Sequence, residues 1–187
     1  MRSMHEISKY AFLGAQSVGK TTITNILKEK YQNQNEIVVL DEAARIFFEQ
    51  NPHITDRSYK TQLAIQNFVL QREKAIIKPS TKVIISDRSV VDPIVLAQIW
   101  DPENAQKLFN NVADWLQTYT LFFILDLYGV PSKPDKFRKE SPQERLAIQT
   151  AFIDFCIVNN LNYQLISGSL DQRVAKVEKK IKKSGRF

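Results

Sequence analysis

Five short apolar runs punctuate the chain: YAFLG at 10–14, EIVVL at 36–40, KVIISD at 82–87, LFFILDL at 121–127 and NYQLIS at 162–167. Each has the length of a strand and carries the β-branched or aromatic residues that suit a pleated, buried surface. Between them, apolar positions recur at helical spacing. GKTTITNILKEKY (19–31) places Ile23, Ile26 and Leu27 on one face. SYKTQLAIQNFVLQREKAII (58–77) repeats through Leu63, Phe68, Leu70 and Ile76 until Pro79 stops it. DPENAQKLFNNVADWLQTY (101–119) opens on Asp-Pro and SPQERLAIQTAFIDFCIVNN (141–160) on Ser-Pro, both helix-start signals. Strands alternating with helical stretches predict an α/β fold with a parallel sheet. Near the end, in and just before the basic run KVEKKIKKSGR (176–186), Val174, Val177 and Ile181 fall at helical spacing. The stretch reads as a terminal helix with one apolar stripe and a solvated Lys face, with a nucleic-acid tail as the alternative.

The chain's 187 residues predict a single domain spanning 1–187. No apolar run approaches a bilayer span, and the opening residues MRSMHEISKY contain no signal-peptide core. The expectation is a cytoplasmic protein with no membrane partner. The lone Cys156 sits in the apolar run AFIDFCIVNN, which reads as a buried, inert thiol rather than a nucleophile. Phe47, Phe68 and Trp100 likewise read as core positions rather than stacking platforms. A balance of 26 Lys+Arg against 20 Asp+Glu gives a net charge of +6. That favours anionic ligands, phosphates and nucleic acid alike, without choosing between them.

GAQSVGKT, from Gly14 through Ala15, Gln16, Ser17, Val18, Gly19 and Lys20 to Thr21, fits the phosphate-loop pattern G-x-x-x-x-G-K-[ST], with Thr22 following. It leaves a predicted strand and opens a predicted helix, the context the motif requires. Glycines let successive amides turn inward as an anion nest, and the helix adds the positive end of its dipole. Lys20 supplies a point charge for the outer phosphates, and the Thr21 hydroxyl suits a Mg²⁺ ion bridging them. The motif implies a nucleoside triphosphate, which kinases, motor ATPases, GTP switches and non-catalytic sensors all use.

Two acidic sites follow apolar strands. Asp87 ends KVIISD and precedes Arg88. It reads as a Mg²⁺ anchor at the carboxyl end of a strand, with turn capping as the alternative. Asp41 and Glu42 end EIVVL, with Arg45 one helical turn later. They offer a general base for an acceptor hydroxyl, or else a helix N-terminal charge. Residues 128–140, YGVPSKPDKFRKE, are polar, basic and Pro-rich, with Lys133, Lys136, Lys139 and Arg138, and Arg145 follows. This composition suits equally a mobile segment delivering cations to a transferring phosphoryl group and a plain surface connection.

The blocks GAQSVGKTT, DEAARIFFE, LQREKAI, VIISDRSVVDPIVLA and LISGSLDQRVAKVEKKI together resemble the small P-loop ATPase/kinase family grouped with the ribosylnicotinamide kinase domain of bifunctional NAD-biosynthesis proteins. More distantly they resemble thymidylate and deoxynucleoside kinases. The likeness runs from about Tyr10 to Ile181, and the DEAAR and DRSVVDP blocks are its specific part. It implies a three-layer P-loop nucleoside triphosphate hydrolase fold, nucleoside-kinase-like, with a five-stranded parallel sheet flanked by helices. ATP–Mg²⁺ would be the donor and a small nucleoside-like metabolite the phosphate acceptor, with ribosylnicotinamide a candidate. The resemblance puts Asp41/Glu42 near the acceptor, Asp87-Arg88 at the phosphate end, and a lid at 128–145 with Arg138 and Arg145 as phosphoryl contacts. It also puts the turn beginning at Ser167 and Gly168 against the adenine.

Three other readings compete. A GTP switch is disfavoured: SKPD (132–135) lacks the Asn of the guanine signature, and SDRSV lacks the D-x-x-G that senses a γ-phosphate. A regulatory or binding-only ATPase would leave Asp41, Glu42, Arg45 and Arg88 as surplus charge. A kinase of nucleic-acid ends is permitted by net charge but has no aromatic-basic stripe to hold a strand.

Overall fold

The structure is a computed structural model that describes residues 7–127 and 141–185. In chain order its elements are β1 (Ser8–Leu13), α1 (Lys20–Tyr31), β2 (Ile37–Leu40), α2 (Ala43–Gln50), α3 (Tyr59–Ala75), β3 (Val83–Asp87), α4 (Val91–Trp100), α5 (Pro102–Leu116), β4 (Leu121–Leu125), α6 (Pro142–Val158), β5 (Tyr163–Ile166) and α7 (Leu170–Gly185). The five strands form one parallel sheet in the order β2-β3-β1-β4-β5. All five expected strands are present, displaced only at their ends.

Helices on both faces account for the unbroken apolar runs. A strand covered on each side shows no alternation, and β1 and β3 are buried almost throughout. Tyr10 and Phe123 stack at 5.7 Å across β1 and β4, with Phe12 5.4 Å from Phe123, to form the aromatic centre of the core. Cys156 is fully buried and burial pushes its thiol up to about 12, so it stays protonated and inert. Val177 and Ile181 bury the apolar stripe of α7. No helix among the described residues is long and apolar enough to cross a membrane.

Two helices have no counterpart in the sequence pattern. In α4, VDPIVLAQIW is apolar on nearly every side and buried along most of its length, so it has no stripe to reveal a helical period. The eight-residue α2 begins immediately after Glu42.

The order of the strands places the site. From β1 the chain passes out to β2 and returns to β3, whereas β4 and β5 lie on the other side of β1. The crevice therefore opens at the carboxyl end of β1, where the connections diverge. Phe12 is in register with Asp87, and Leu13 with Ile124. The loop leaving β1 thus emerges between the end of β3 and the end of β4.

Candidate functional site

The loop from Gly14 to Lys20 turns on three left-handed residues: Gly14 at φ 120°, Ser17 at φ 60° and Gly19 at φ 93°. Such turns gather backbone amides on one side as an anion nest. Ser17 is not a glycine, so its positive φ is a local strain of the kind kept at functional sites. Gly19 caps α1 without a side-chain hydrogen bond, and the first turn of α1 has no acidic residue. The amides that open this helix thus have no side-chain cap and no acidic neighbour in the first turn, the arrangement that suits an anion. Lys20 is buried, with its Nζ donating to the carbonyls of Gly14 (2.8 Å) and Ala15 (2.6 Å). Burial, reinforced by the nearby Arg88 charge, lowers its pKa to about 7 against the opposing pull of Asp87, Asp92 and Glu42.

Side chains from the last third of the chain hold the loop from outside. Gln149 on α6 accepts from the Ala15 amide (3.1 Å) and donates to the Leu125 carbonyl (2.8 Å). Arg145, one turn earlier, donates from Nε to the Gln16 carbonyl (3.2 Å), and its buried Nη2 has no partner among the described residues. Arg173 on α7 donates to the carbonyls of Val18, Gly168 and Asp126. Arg145, expected as a phosphoryl contact, instead grips the loop from outside through the Gln16 carbonyl and is not among the residues lining the cavity that the loop faces. Nothing in the local spacing singles out Gln149 or Arg173, whose partners in the loop lie 134 and 155 residues away.

At the end of β3, Asp87 Oδ2 accepts from the Thr21 hydroxyl at 2.6 Å, while the buried Oδ1 has no partner among the described residues. Burial and the Glu42 charge push the Asp87 carboxyl up, against Lys20, Thr21 and Arg88. A hydroxyl and a carboxylate with one unused oxygen are the hard donors that suit Mg²⁺. The expected metal residues, Thr21 and Asp87, therefore meet and fit that ion.

Arg88 follows at φ 72° and is clamped between two carboxylates: Nε to Glu42 Oε1 at 2.7 Å and Nη1 to Asp92 Oδ1 at 2.8 Å. These acids, with Asp87, outweigh burial and raise the Arg88 pKa, keeping it charged. Burial pushes Glu42 up, but Arg88, Lys20 and Arg45 outweigh it and hold Glu42 below the usual carboxylate range. Asp92 is raised by burial despite Arg88.

Glu42, Arg88 and Asp92 face one cavity of about 800 Å³, within the range of roughly 300–1,000 Å³ usual for small-molecule sites, whereas Asp87 lies behind its wall and reaches it only through the Thr21 hydroxyl. Every residue from Gly14 to Thr22 lines it, and so do Glu42, Arg45 and Arg88. Beyond the loop it continues between α2, α3 and α4 over Phe48, Ile54, Ile65, Val69 and Leu96. Trp100 lines its rim, partly exposed, with the Arg57 guanidinium 4.1 Å from the ring centroid. Trp100 is therefore not the core residue its context suggested, whereas Phe47 is, packing 6.0 Å from Phe68.

The structure separates Asp41 from Glu42. Asp41 lies off the cavity, with its carboxylate half-exposed and paired with Lys28 at 2.7 Å, because adjacent side chains leave a strand end on opposite sides. Ser167 and Gly168 also lie off the cavity; their carbonyls accept from Lys176 and Arg173. Of the expected lid at 128–145, residues 128–140, with Arg138, Lys133, Lys136 and Lys139, lie outside the described residues.

Residues 9–173 match the AAA domain family. A search of curated proteins finds no match. Among solved structures the chain is similar to NadR protein in complex with NAD and AMP-PNP, with a TM-score of 0.75 and 12% identity over 98% of this chain. It is similar also to NadR in complex with NR, with a TM-score of 0.77 and 13% identity over 98% of this chain. The chain spans about half the length of these NadR chains, 51% and 52%. The thymidylate kinase of Candida albicans matches at a TM-score of 0.68 and 16% identity, over 95% of this chain and 92% of its own. At these identities the likeness is one of fold, and it joins the two groups that the motif blocks resemble.

Proposed function

The chain belongs to the AAA domain family, and from that premise we propose that it is an ATP-dependent phosphotransferase acting on a hydroxyl of a small nucleoside-like metabolite. The observation that carries the reading is the cavity's extent. It runs from the phosphate loop, past the Glu42–Arg88 pair, into a second compartment with apolar walls. A binding-only ATPase has no use for that compartment.

In this reading the amides of residues 14–22 and Lys20 hold the triphosphate. Thr21 and Asp87 would hold Mg²⁺, which when bound would offset negative charge on the β- and γ-phosphates. Glu42, ionised at neutral pH, accepts the proton of the acceptor hydroxyl as its oxygen forms a bond to the γ-phosphorus. The bond from that phosphorus to the β–γ bridging oxygen breaks, and ADP leaves. Arg88 stays cationic beside the transferring group, and Arg145 has an unused Nη2 at the loop's other edge. Arg138 would join them as a lid arginine.

Charge in the second compartment supports a neutral or cationic acceptor. Among the described lining residues, Arg45, Arg57 and Arg88 are offset by Glu42, Glu49, Asp56 and Asp92, which leaves no excess of cation for an acceptor phosphate. Ribosylnicotinamide, a nucleoside with a cationic ring, fits this balance. The test is ADP formation from ATP–Mg²⁺ with ribosylnicotinamide, deoxynucleosides or nucleoside monophosphates as acceptor. Nucleosides should be turned over in preference to monophosphates. ADP release no faster than without acceptor would end the kinase reading, and a preference for monophosphates would end the charge argument.

A further inference from the structure

Gly19 sits at φ 93°, and a Cβ built there would meet nothing within 4 Å, so the backbone angle rather than crowding asks for glycine. The Val18–Gly19 peptide before it is gripped from the outer side of the loop. Arg173, 6% exposed, donates from Nη1 to the Val18 carbonyl (3.1 Å), from Nε to the Gly168 carbonyl (2.8 Å) and from Nη2 to the Asp126 carbonyl (3.1 Å). One planar fork thereby ties the phosphate loop to the exit of β4 and to the turn before α7, fixing direction as well as distance. A trans peptide is planar, so its C=O and N–H point in opposite directions. Drawing the Val18 carbonyl outward to Arg173 turns the Gly19 amide the other way, toward the cavity that Gly19 lines. A charged donor on a carbonyl also polarises the peptide and strengthens its N–H as a donor.

We propose that Arg173 is a positioning residue for the phosphate site: it presets the Gly19 amide, and with it the loop's affinity for a triphosphate, before any ligand arrives. This deepens the phosphotransferase reading and rests on residues 14–21 being a triphosphate nest. Arg173 itself touches no substrate. Its effect falls on nucleotide binding, so removing it should raise KM for ATP more than it lowers kcat.

Calorimetric titration with inorganic triphosphate–Mg²⁺, which has no base or sugar, isolates the nest; ATP–Mg²⁺ is the second probe. Arg173→Gln should bind both about ten- to a hundredfold more weakly than the wild type, the scale of losing one charge-assisted hydrogen bond. Arg173→Lys keeps the charge but not the three-way fork, and should be weakened nearly as much. Val177→Ala, a cavity in the buried stripe of the same helix, should lower the melting temperature while leaving triphosphate affinity intact. Wild-type affinity in Arg173→Gln would overturn the proposal, as would wild-type affinity in Arg173→Lys or a loss equally large in Val177→Ala. A wild-type protein that bound neither probe would instead overturn the nest itself.

Discussion

Asp41 and Glu42 are neighbours in the chain with the same chemistry, yet only Glu42 reaches the cavity; Asp41 turns outward to Lys28. The sequence could offer both as bases because the alternation of a strand end says that they diverge, not which one faces the ligand. Kinetics separates them. Glu42→Gln should lower kcat by roughly 10²–10⁴, the usual contribution of a general base, with nucleotide affinity preserved. Asp41→Asn should leave kcat unchanged and cost at most about 1 kcal/mol of stability, since its ion pair is half in solvent. A rate loss in Asp41→Asn as large as that in Glu42→Gln would return the base to the outer carboxylate. Lys20→Ala removes the one ammonium among the described lining residues and should reduce ADP formation by roughly a hundredfold or more.

Among the elements, the phosphate loop was the most legible because everything that defines it is local: a strand, eight residues and a helix. Its support was not, since Gln149 and Arg173 arrive from α6 and α7 and no spacing rule links them to Gly14 or Val18. Strands could be read because burial on both faces leaves a continuous apolar run of bounded length, while α4 was missed for the same reason, its all-round burial erasing the period. The two glycines of the loop have different reasons to be glycine. At Gly14 a Cβ would lie 2.9 Å from Gln149 Oε1, displacing the side chain that holds the Ala15 amide, and φ is already 120°. At Gly19 only the backbone angle objects. Urea unfolding should therefore show Gly19→Ala costing about 1 kcal/mol and Gly14→Ala about 2–3 kcal/mol. Equal losses would mean that Gln149 yields freely and is no brace.

On the scale of the whole molecule, the functional edge of the sheet is balanced by a buried polar cluster toward the amino-terminal ends of the strands. Lys9 on β1 pairs with Glu73 on α3 at 2.8 Å, both nearly inaccessible. Lys9 Nζ also lies 3.7 Å from the Tyr119 ring centroid, and Glu73 accepts from Trp115 Nε1 and the Tyr119 hydroxyl, both at 2.7 Å. Removing either member strands the other's charge, so Lys9→Met should cost about 3–5 kcal/mol at neutral pH. Burial outweighs Glu73 and lowers the Lys9 pKa from 10.5 to about 8. Between those two values the unfolded chain holds a proton on Lys9 that the folded chain has released. Raising the pH through the window therefore removes protons preferentially from the unfolded state and stabilises the fold. Urea unfolding of the wild type and Lys9→Met, compared from pH 8 to 10.5, should show their difference moving in the wild type's favour by on the order of 3 kcal/mol. A difference that stayed flat would mean that Lys9 keeps its proton throughout and that the attraction of Glu73 and the aromatic rings exceeds the cost of burying the charge.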